Sequence, residues 1–292
     1  MKRILITGAN SYIGGAFESY MKQNYADFAS IDTIDMKDLS WKNADFSRYD
    51  VVFHVAGIAH ADVSNVSDEI KKQYYKINTD LAIETAEKAK REGVHQFIFM
   101  SSMIIYGTAG HISQETLPNP ENFYGDSKWQ ADRAIQKLTD GKFRTVVLRP
   151  PMIYGKNSKG NYPVLARLAQ RLPVFPNVMN QRSMLYIENL CEFLHIIIDE
   201  DRTGVFFPQN EELVNTSQMV KLIAQEKKHK IYLWNILNIF VTAGKHFPGK
   251  IGKMCNKAFG DSYYDLSISD IGRKYCVVDL EESIRRTEGK LP

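Results

Sequence analysis

Three polar side chains in the first half of the sequence have the types and spacing needed to move a proton beside a hydride acceptor. Tyr124 and Lys128 are four residues apart in a stretch that predicts a helix, so they share one helical face. A phenol titrates near pH 10, and an ammonium group one turn away, together with a cofactor cation, is expected to lower that pKa. Ser102 follows an apolar run (FIFMS), and its hydroxyl can hydrogen-bond a substrate oxygen there. These groups suit removal of a proton from an alcohol, or its return to a carbonyl, while hydride moves at the same carbon.

The first apolar run of the chain leads into a pattern that predicts phosphate binding. Arg3–Thr7 ends at Gly8, and a helical stretch begins near Gly14. Gly8 provides the tight turn, Gly14 the close helix–strand packing, and Ser11 stands where a middle glycine normally lets the backbone approach a pyrophosphate. The pyrophosphate would lie on the helix N-terminus, held by free N–H groups and the helix dipole. The segment therefore predicts a dinucleotide site.

An acidic side chain near the end of the second predicted strand would select the form of the dinucleotide. Asp32 follows Gly8 at the spacing at which a carboxylate accepts hydrogen bonds from the adenosine ribose and repels a 2′-phosphate. The end of this strand is ambiguous, so Asp35 or Lys37 can occupy the tip instead, and a lysine there would favour NADP. NAD is the preferred prediction, and NADP stays open.

The elements that must position these residues alternate between apolar strands and helices. Apolar runs without polar alternation indicate a sheet covered on both faces, and strand–helix alternation indicates parallel crossovers. We therefore predict an α/β fold with a Rossmann-type doubly wound parallel sheet, which binds ligands beyond the carboxyl ends of its strands. The predicted strands are Arg3–Thr7, Phe28–Ile34, Asp50–Ala56, Phe97–Ser101, Thr145–Arg149 and Val205–Phe207, and the helices lie near Gly14–Gln23, Asp68–Glu92, Phe123–Thr139 and Glu188–Asp199.

The second half of the sequence has a different character. We expect residues 1–154 to form the dinucleotide-binding domain, rejoined by about 184–208. Residues 155–183 and 209–292 would form a smaller, interleaved C-terminal substrate domain, with a helix around Tyr162–Leu172 and no strong strand after Asn210. The apolar stretch Ile231–Val241 predicts a buried or amphipathic helix rather than a membrane-surface element.

Composition excludes several classes of protein. The chain has 292 residues, 44% of them apolar and 24% charged, which is ordinary for a globular protein and excludes a disordered chain. A net charge of +3 gives no support for nucleic-acid binding. Three cysteines without a CxxC pair predict neither a disulfide framework nor a metal site, and favour a cytoplasmic location. No apolar run is long enough to predict a signal peptide or a membrane span.

The motifs TGANSYIGG, DVVFHVAG, FIFMSSMIIYG, YGDSK and VVLRPPMIYG, in this order, resemble those of the extended short-chain dehydrogenases/reductases. More narrowly they resemble the nucleotide-sugar epimerase/dehydratase/reductase group, from Arg3 to about Asp199. The resemblance implies that Tyr124 is the acid–base residue, that Lys128 is its partner and holds the nicotinamide ribose, and that Ser102 is the catalytic serine.

The same resemblance implies further binding residues. Cofactor binding would involve Tyr12 and Ile13 as phosphate N–H donors, Ala56 and Gly57 as backbone passing the cofactor, and Asn78 as support for the lysine. The UDP-sugar branch of the group is similar around GKNSKGNYPVLARLAQRLPVFP and NQRSMLYIENL, which implies that Asn161 and Arg182 contact the substrate pyrophosphate. Met152 replaces an asparagine common in relatives. A homodimer is expected from the resemblance alone.

The resemblance leaves the reaction open among related outcomes. A dehydratase needs an Asp–Glu pair after the catalytic serine, and Met103–Ile104 cannot exchange protons, so dehydration is not expected. We favour NAD(P)-dependent reduction of a UDP-4-keto-6-deoxy-HexNAc in surface polysaccharide biosynthesis. A UDP-sugar 4-epimerase with tightly held NAD is the first alternative, and a non-catalytic dinucleotide-sensing relative is the second. His60 either lines the sugar pocket or caps a strand end.

Overall fold

The computed structural model describes residues 1–59 and 66–289. His60 lies outside the described residues. The strands are β1 (Lys2–Thr7), β2 (Ala29–Ile34), β3 (Val51–His54), β4 (Gln96–Met100), β5 (His111–Ile112), β6 (Arg144–Leu148), β7 (Met152–Tyr154), β8 (Val174–Pro176), β9 (Met184–Tyr186), β10 (Gly204–Phe206), β11 (Tyr232–Trp234) and β12 (Tyr263–Tyr264). The helices are α1 (Tyr12–Asn24), α2 (Asp68–Tyr75), α3 (Leu81–Arg91), α4 (Phe123–Gln136), α5 (Tyr162–Arg171), α6 (Ile187–Asp199), α7 (Thr216–Glu226), α8 (Asn238–His246), α9 (Lys250–Phe259) and α10 (Leu280–Glu288).

The predicted strands of the first 210 residues form one parallel sheet. Its order is β2-β1-β3-β4-β6-β10, and every neighbouring pair is parallel. Strand order reverses at β1, which lies between β2 and β3. This reversal opens a crevice at the carboxyl ends of β1 and β3, the place where doubly wound folds bind ligands. The predicted fold class is confirmed.

Both faces of this sheet are buried, which explains the unbroken apolar runs. Along β1, Ile4 and Ile6 pack in one cluster with residues of α1 and α6, whereas Leu5 packs in another with residues of α3 and α4. The side chains of β3, β4 and β6 alternate between the same two clusters. Successive strand residues point to opposite faces, so a strand covered by helices on both sides needs apolar residues throughout.

The predicted helix Asp68–Glu92 is divided into two. A π-helical turn, Lys76–Asp80, separates α2 from α3. Asn78 and Thr79 of this turn are buried, and the Thr79 hydroxyl donates to the Ser127 carbonyl oxygen at 2.8 Å. The wider turn aims both polar side chains at one neighbouring helix, α4. Such π-turns recur at functional sites.

Short strand pairs connect distant parts of the chain. β7 pairs with β9, β8 with β11 and β5 with β12, all in parallel. The expectation of no strong strand after Asn210 missed β11 and β12. Both are only two or three residues long and exist because a partner strand fixes them, so local patterning does not reveal them. The expected division into two domains stays a prediction.

The stretch Ile231–Val241 is not a buried helix. It contains β11, a 3₁₀ turn at Asn235–Leu237 and only the first turn of α8. Most of its large apolar side chains are exposed, including Phe240 at 72%. The expectation is therefore wrong, because the helical face that packs inward carries Val241 rather than the larger side chains.

Within the two described ranges, none of the helices has both the length and the apolar character required to span a bilayer.

Candidate active site

Helix α4 carries two of the three predicted catalytic residues. The Asn122 side chain caps this helix by accepting a hydrogen bond from the Gly125 N–H at 2.9 Å. Tyr124 lies in the first turn and is partly exposed, and Lys128 is buried one turn later. Ser102 follows β4 at the carboxyl edge of the sheet and accepts a hydrogen bond from the Ile104 N–H at 3.3 Å.

The side chains of Tyr124 and Ser102 are neighbours. Ser102 acts to lower the pKa of the phenol, but burial dominates and raises the pKa of Tyr124 to about 12. The ring of Tyr74 packs edge-on against Tyr124, with ring centroids 5.9 Å apart. The expected lowering of the phenol pKa by protein groups is therefore corrected: the surroundings keep Tyr124 protonated at neutral pH, and Lys128 is not among the causes of the shift.

The Lys128 ammonium is held in place behind the tyrosine. Its Nζ donates to the Met100 carbonyl oxygen at 2.9 Å and lies 5.0 Å from the centre of the Phe99 ring. Burial lowers the pKa of Lys128 to about 8, opposed by the negative charge of Asp132. The group stays largely protonated at neutral pH, and it has further N–H donors beyond the one used by Met100.

A buried ion pair that the sequence analysis missed lies one turn further along α4. Asp132 is fully buried and accepts two hydrogen bonds from Arg149, at 2.9 and 2.8 Å, and one from Ser101 at 2.7 Å. Arg149 also donates to the Tyr106 hydroxyl at 2.7 Å. The four-residue spacing from Lys128 to Asp132 was the available signal, because it places both on one helical face.

The turn between β1 and α1 has the geometry of an anion site. Gly8 has a φ of +115°, and a Cβ there would lie 2.9 Å from the Ala56 nitrogen, so only glycine fits. Ser11 is the N-cap of α1, and its Oγ accepts from the Gly14 N–H at 3.1 Å; its predicted place beside a pyrophosphate stays a prediction. The backbone N–H groups of Tyr12 and Ile13 have no acceptor among the residues that the structure describes.

The Tyr12 hydroxyl lies against Gly155, where an added Cβ would be 2.6 Å from it. This hydroxyl is buried and has no hydrogen-bond partner within residues 1–59 and 66–289, and burial raises its pKa. Only the backbone of Tyr12 is therefore available to a phosphate.

The backbone after β3 forms the opposite wall of the crevice. A Cβ on Gly57 would lie 3.0 Å from the Asn78 Oδ1 and 3.1 Å from the Lys128 Nζ, so this backbone passes close to the lysine. Asn78 is fully buried, accepts from the Ile58 N–H at 2.8 Å and donates to the Ile58 carbonyl oxygen at 3.0 Å. Asn78 thus holds the Ile58 backbone rather than binding the ammonium directly.

The structure places Asp35 rather than Asp32 at the tip of β2. Asp32 pairs in register with Leu5, inside the sheet, and accepts a hydrogen bond from the Tyr49 hydroxyl at 2.7 Å. The strand ends at Ile34, whose carbonyl oxygen accepts from the N–H groups of Gly8 and Ala9. Asp35 follows immediately and also accepts from the Lys37 N–H at 3.0 Å.

The two residues expected at the substrate pyrophosphate lie on separate elements. Asn161 is exposed and precedes α5 without capping it through its side chain. The Arg182 guanidinium donates to the carbonyl oxygens of Lys257 and Gly260, at 3.0 and 3.1 Å, at the end of α9. No contact between the two is present in the described part of the chain. Met152 lies in β7 and pairs with β9.

These features fit a dinucleotide. The crevice between β1 and β3 is lined by a turn that admits only glycine, by two N–H groups without an acceptor among the described residues, and by a buried lysine beside Gly57. A bound dinucleotide would lie with its phosphates at Tyr12 and Ile13 and its nicotinamide end toward Lys128.

Comparison with known proteins agrees with this geometry. The sequence model of the NAD dependent epimerase/dehydratase family matches residues 4–207. An Escherichia coli O157:H7 protein, N-acetyl-alpha-D-glucosaminyl-diphospho-ditrans,octacis-undecaprenol 4-epimerase, is 25% identical over 94% of this chain and 82% of its own length. The UDP-glucose 4-epimerase of Vibrio cholerae is 31% identical over 60% of this chain and 56% of its own length.

Solved structures share the fold across nearly the whole chain. UDP-N-acetylglucosamine 4-epimerase from Methanobrevibacter ruminantium M1 matches with a TM-score of 0.72 at 18% identity, covering 98% of this chain and 96% of that one. A dTDP-4-dehydrorhamnose reductase from Clostridium acetobutylicum matches with a TM-score of 0.65 at 19% identity, covering 87% and 97%. The family match spans more than two thirds of the sequence and includes the glycine turn, the serine and the Tyr–Lys helix. The chain belongs to the NAD dependent epimerase/dehydratase family, whose cofactor is NAD.

Proposed function

We propose that the protein is an NAD-dependent 4-epimerase of a hexose or N-acetylhexosamine carried on a diphosphate. The observation that carries this proposal is the placement of Lys128, buried beside Gly57, on the same helix as Tyr124, which neighbours Ser102 at the carboxyl edge of the sheet. The match to a 4-epimerase over 94% of the chain supports the choice of epimerisation as the first candidate.

Tyr124 is the proton donor and acceptor at the sugar C4 oxygen. Its raised pKa makes it a proton donor at neutral pH, as return of hydrogen to a C4 carbonyl requires. For the opposite step the phenolate must form, and the neighbouring Ser102 hydroxyl acts to stabilise it. Ser102 also orients the C4 oxygen by hydrogen bonding. NAD, when bound, supplies a reversible hydride acceptor at C4.

Three groups of residues would hold the cofactor. The N–H groups of Tyr12 and Ile13 bind its phosphates, and Asp35 accepts hydrogen bonds from the adenosine ribose, which disfavours a 2′-phosphate. Lys128 uses its remaining N–H donors for the nicotinamide ribose. Asp35 replaces Asp32 in this role because β2 ends at Ile34.

The carrier of the sugar is either a nucleotide or a polyprenyl lipid. The V. cholerae relative acts on UDP-glucose, and the E. coli relative acts on a sugar linked through diphosphate to undecaprenol. Both carriers present a diphosphate, and we propose Arg182 as a donor to it.

Reduction of a UDP-4-keto-6-deoxy-HexNAc is the second candidate, since the reductase fold neighbour uses the same overall fold. The two reactions differ in their cofactor balance. An epimerase interconverts its substrates without net change in absorbance at 340 nm, whereas a reductase consumes one reduced dinucleotide per product.

The test is product analysis with purified protein, NAD and a panel of UDP-hexoses and polyprenyl-diphosphate sugars. Tyr124→Phe removes one hydroxyl and is expected to lower kcat by at least about 100-fold. Tyr25→Phe removes the hydroxyl that donates to Glu192 at 2.8 Å and is the matched control, expected to keep wild-type turnover. Turnover of Tyr124→Phe near the wild-type rate would refute the role of Tyr124. Bound dinucleotide without any turnover would instead indicate a non-catalytic relative.

A further inference from the structure

The helices α8 and α9 and the turn before them expose an unusual number of large apolar side chains. We call these the α8–α9 surface, made up of Trp234, Ile236, Ile239, Phe240, Phe247 and Met254, each between 51% and 72% exposed. Isolated exposed apolar residues are normal on proteins, but a set confined to about 20 residues of chain marks an interaction surface.

The burial of the residues along α8 shows that these side chains lie on its solvent-facing side. Ile239, Phe240 and the exposed Ala243 are three and four residues apart and so share one face of α8. The face that carries Val241 and Gly244 packs inward, and a Cβ on Gly244 would lie 2.7 Å from the Sγ of Cys255 on α9. An ordinary surface helix buries its larger apolar side chains, and α8 does the reverse.

The charge around this surface is strongly basic. Residues 227–260 contain seven lysines and no aspartate or glutamate, whereas the whole chain has a net charge of only +3, so the remainder is net acidic. Lys253 and Lys257 on α9 are exposed and form no ion pair within the described residues. No charged residue occurs between Ile231 and Gly244. An uncharged apolar face bordered by lysines is the pattern of segments that lie in the headgroup region of anionic bilayers.

The α8–α9 surface also adjoins the substrate side of the site. The carbonyl oxygens of Lys257 and Gly260, at the end of α9, hold the guanidinium of Arg182. Asn180 donates to the same Gly260 carbonyl oxygen at 3.0 Å. The residue proposed to bind the substrate diphosphate is therefore fixed directly to the helix that carries Met254 and the exposed lysines.

We propose that the α8–α9 surface docks on an anionic phospholipid bilayer, with its apolar side chains in the headgroup region and its lysines on lipid phosphates. A second copy of this chain fits less well, because a two-fold contact would bring two lysine-rich segments together without an acidic residue in either. The docking itself rests on the surface alone. The further idea that docking delivers polyprenyl-diphosphate sugars to Arg182 rests on the proposed function.

The test is sedimentation of the purified full chain with vesicles, either of phosphatidylcholine alone or with about one third phosphatidylglycerol. Ile239→Ser/Phe240→Ser should weaken binding to the anionic vesicles about 10-fold or more. Lys253→Glu/Lys257→Glu should weaken this binding by more than about 30-fold, since each lysine near an anionic surface contributes about fivefold and the glutamates add repulsion. All four positions are exposed, so the variants should keep the wild-type melting temperature.

Matched controls change the same residue types elsewhere. Leu39→Ser/Leu117→Ser removes two apolar side chains that are 71% and 82% exposed, and Lys137→Glu/Lys142→Glu reverses two exposed lysines. Both should bind vesicles as the wild type does, and so should Tyr124→Phe, whatever its activity. No binding to anionic vesicles, equal binding to neutral ones, or equal losses in control and α8–α9 variants would overturn the proposal. Self-association abolished by Ile239→Ser/Phe240→Ser would overturn it in favour of a second copy.

Discussion

Replacing Lys128 by methionine is expected to stabilise the protein while it abolishes catalysis. Burial lowers the pKa of Lys128 from 10.5 to about 8, and each pKa unit is worth about 1.4 kcal/mol, so the buried ammonium costs the folded state about 3 kcal/mol. Methionine removes this penalty at similar volume. It also removes the hydrogen bond to the Met100 carbonyl oxygen, worth about 1–2 kcal/mol. The expected net gain in the free energy of unfolding is about 1–2 kcal/mol.

The stability gained by Lys128→Met should become smaller as the pH rises. Below pH 8 the folded and unfolded wild type both keep the ammonium protonated, so the full penalty is present. Between pH 8 and 10.5 the folded wild type releases this proton and the unfolded chain retains it, so wild-type stability rises and the gain of the variant disappears. Urea unfolding at pH 7 and at about pH 10 measures both values.

Lys88→Met is the matched control. Lys88 is also buried, with 7% of its side chain exposed, but its Nζ is paired with Glu92 at 2.5 Å. Removing the Lys88 ammonium leaves the Glu92 carboxylate without its partner, which should destabilise the protein. A destabilised Lys128→Met variant, or a difference from the wild type that does not change between the two pH values, would refute this account of the buried ammonium.

Two further predictions concern carboxylates. Asp132→Asn should lower the free energy of unfolding by about 3 kcal/mol, because it leaves the Arg149 charge buried without its partner. The control Asp140→Asn breaks a half-exposed pair with Lys90 and should lower the free energy of unfolding by less than about 1 kcal/mol. Equal losses in urea unfolding would contradict this reasoning. Asp35→Ala should raise the Kd for NAD about 10-fold and reduce the preference for NAD over NADP. Asp32→Ala should change the Kd for NAD little. Fluorescence titration measures both Kd values, and a larger effect at Asp32 would assign the ribose contact to that residue.

The sheet was predictable because burial on both faces leaves a local signature in each strand. The runs Arg3–Thr7 and Thr145–Arg149 contain apolar residues on both faces, and no alternative element accommodates them. The turn at Gly8 was predictable for a similar reason, since its backbone conformation demands glycine. The predicted roles of Tyr124 and Lys128 depended on the nearby Ser102 and on the family resemblance, because the Tyr–Lys spacing alone is common in proteins.

The remaining features depend on contacts that are distant in the chain. The π-turn around Asn78 forms where that side chain holds Ile58, and nothing in the local sequence breaks the helix there. The end of β2 is set by the Ile34 carbonyl oxygen meeting the N–H groups of Gly8 and Ala9, so Asp32 and Asp35 could not be separated by counting residues. The phenol pKa followed burial, which spacing does not report.

The pairing of β5 with β12 has a consequence for the order in which the protein folds. His111 and Asp265, which form a hydrogen-bonded pair beside these strands, are separated by 154 positions in the chain. During synthesis at about 5–20 residues per second, the segment that follows Ser102 therefore emerges from the ribosome many seconds before its partner strand exists. A nascent chain can therefore form β1 and β3, with the crevice between them, early, whereas the β5–β12 pair cannot form until residue 264 has been made.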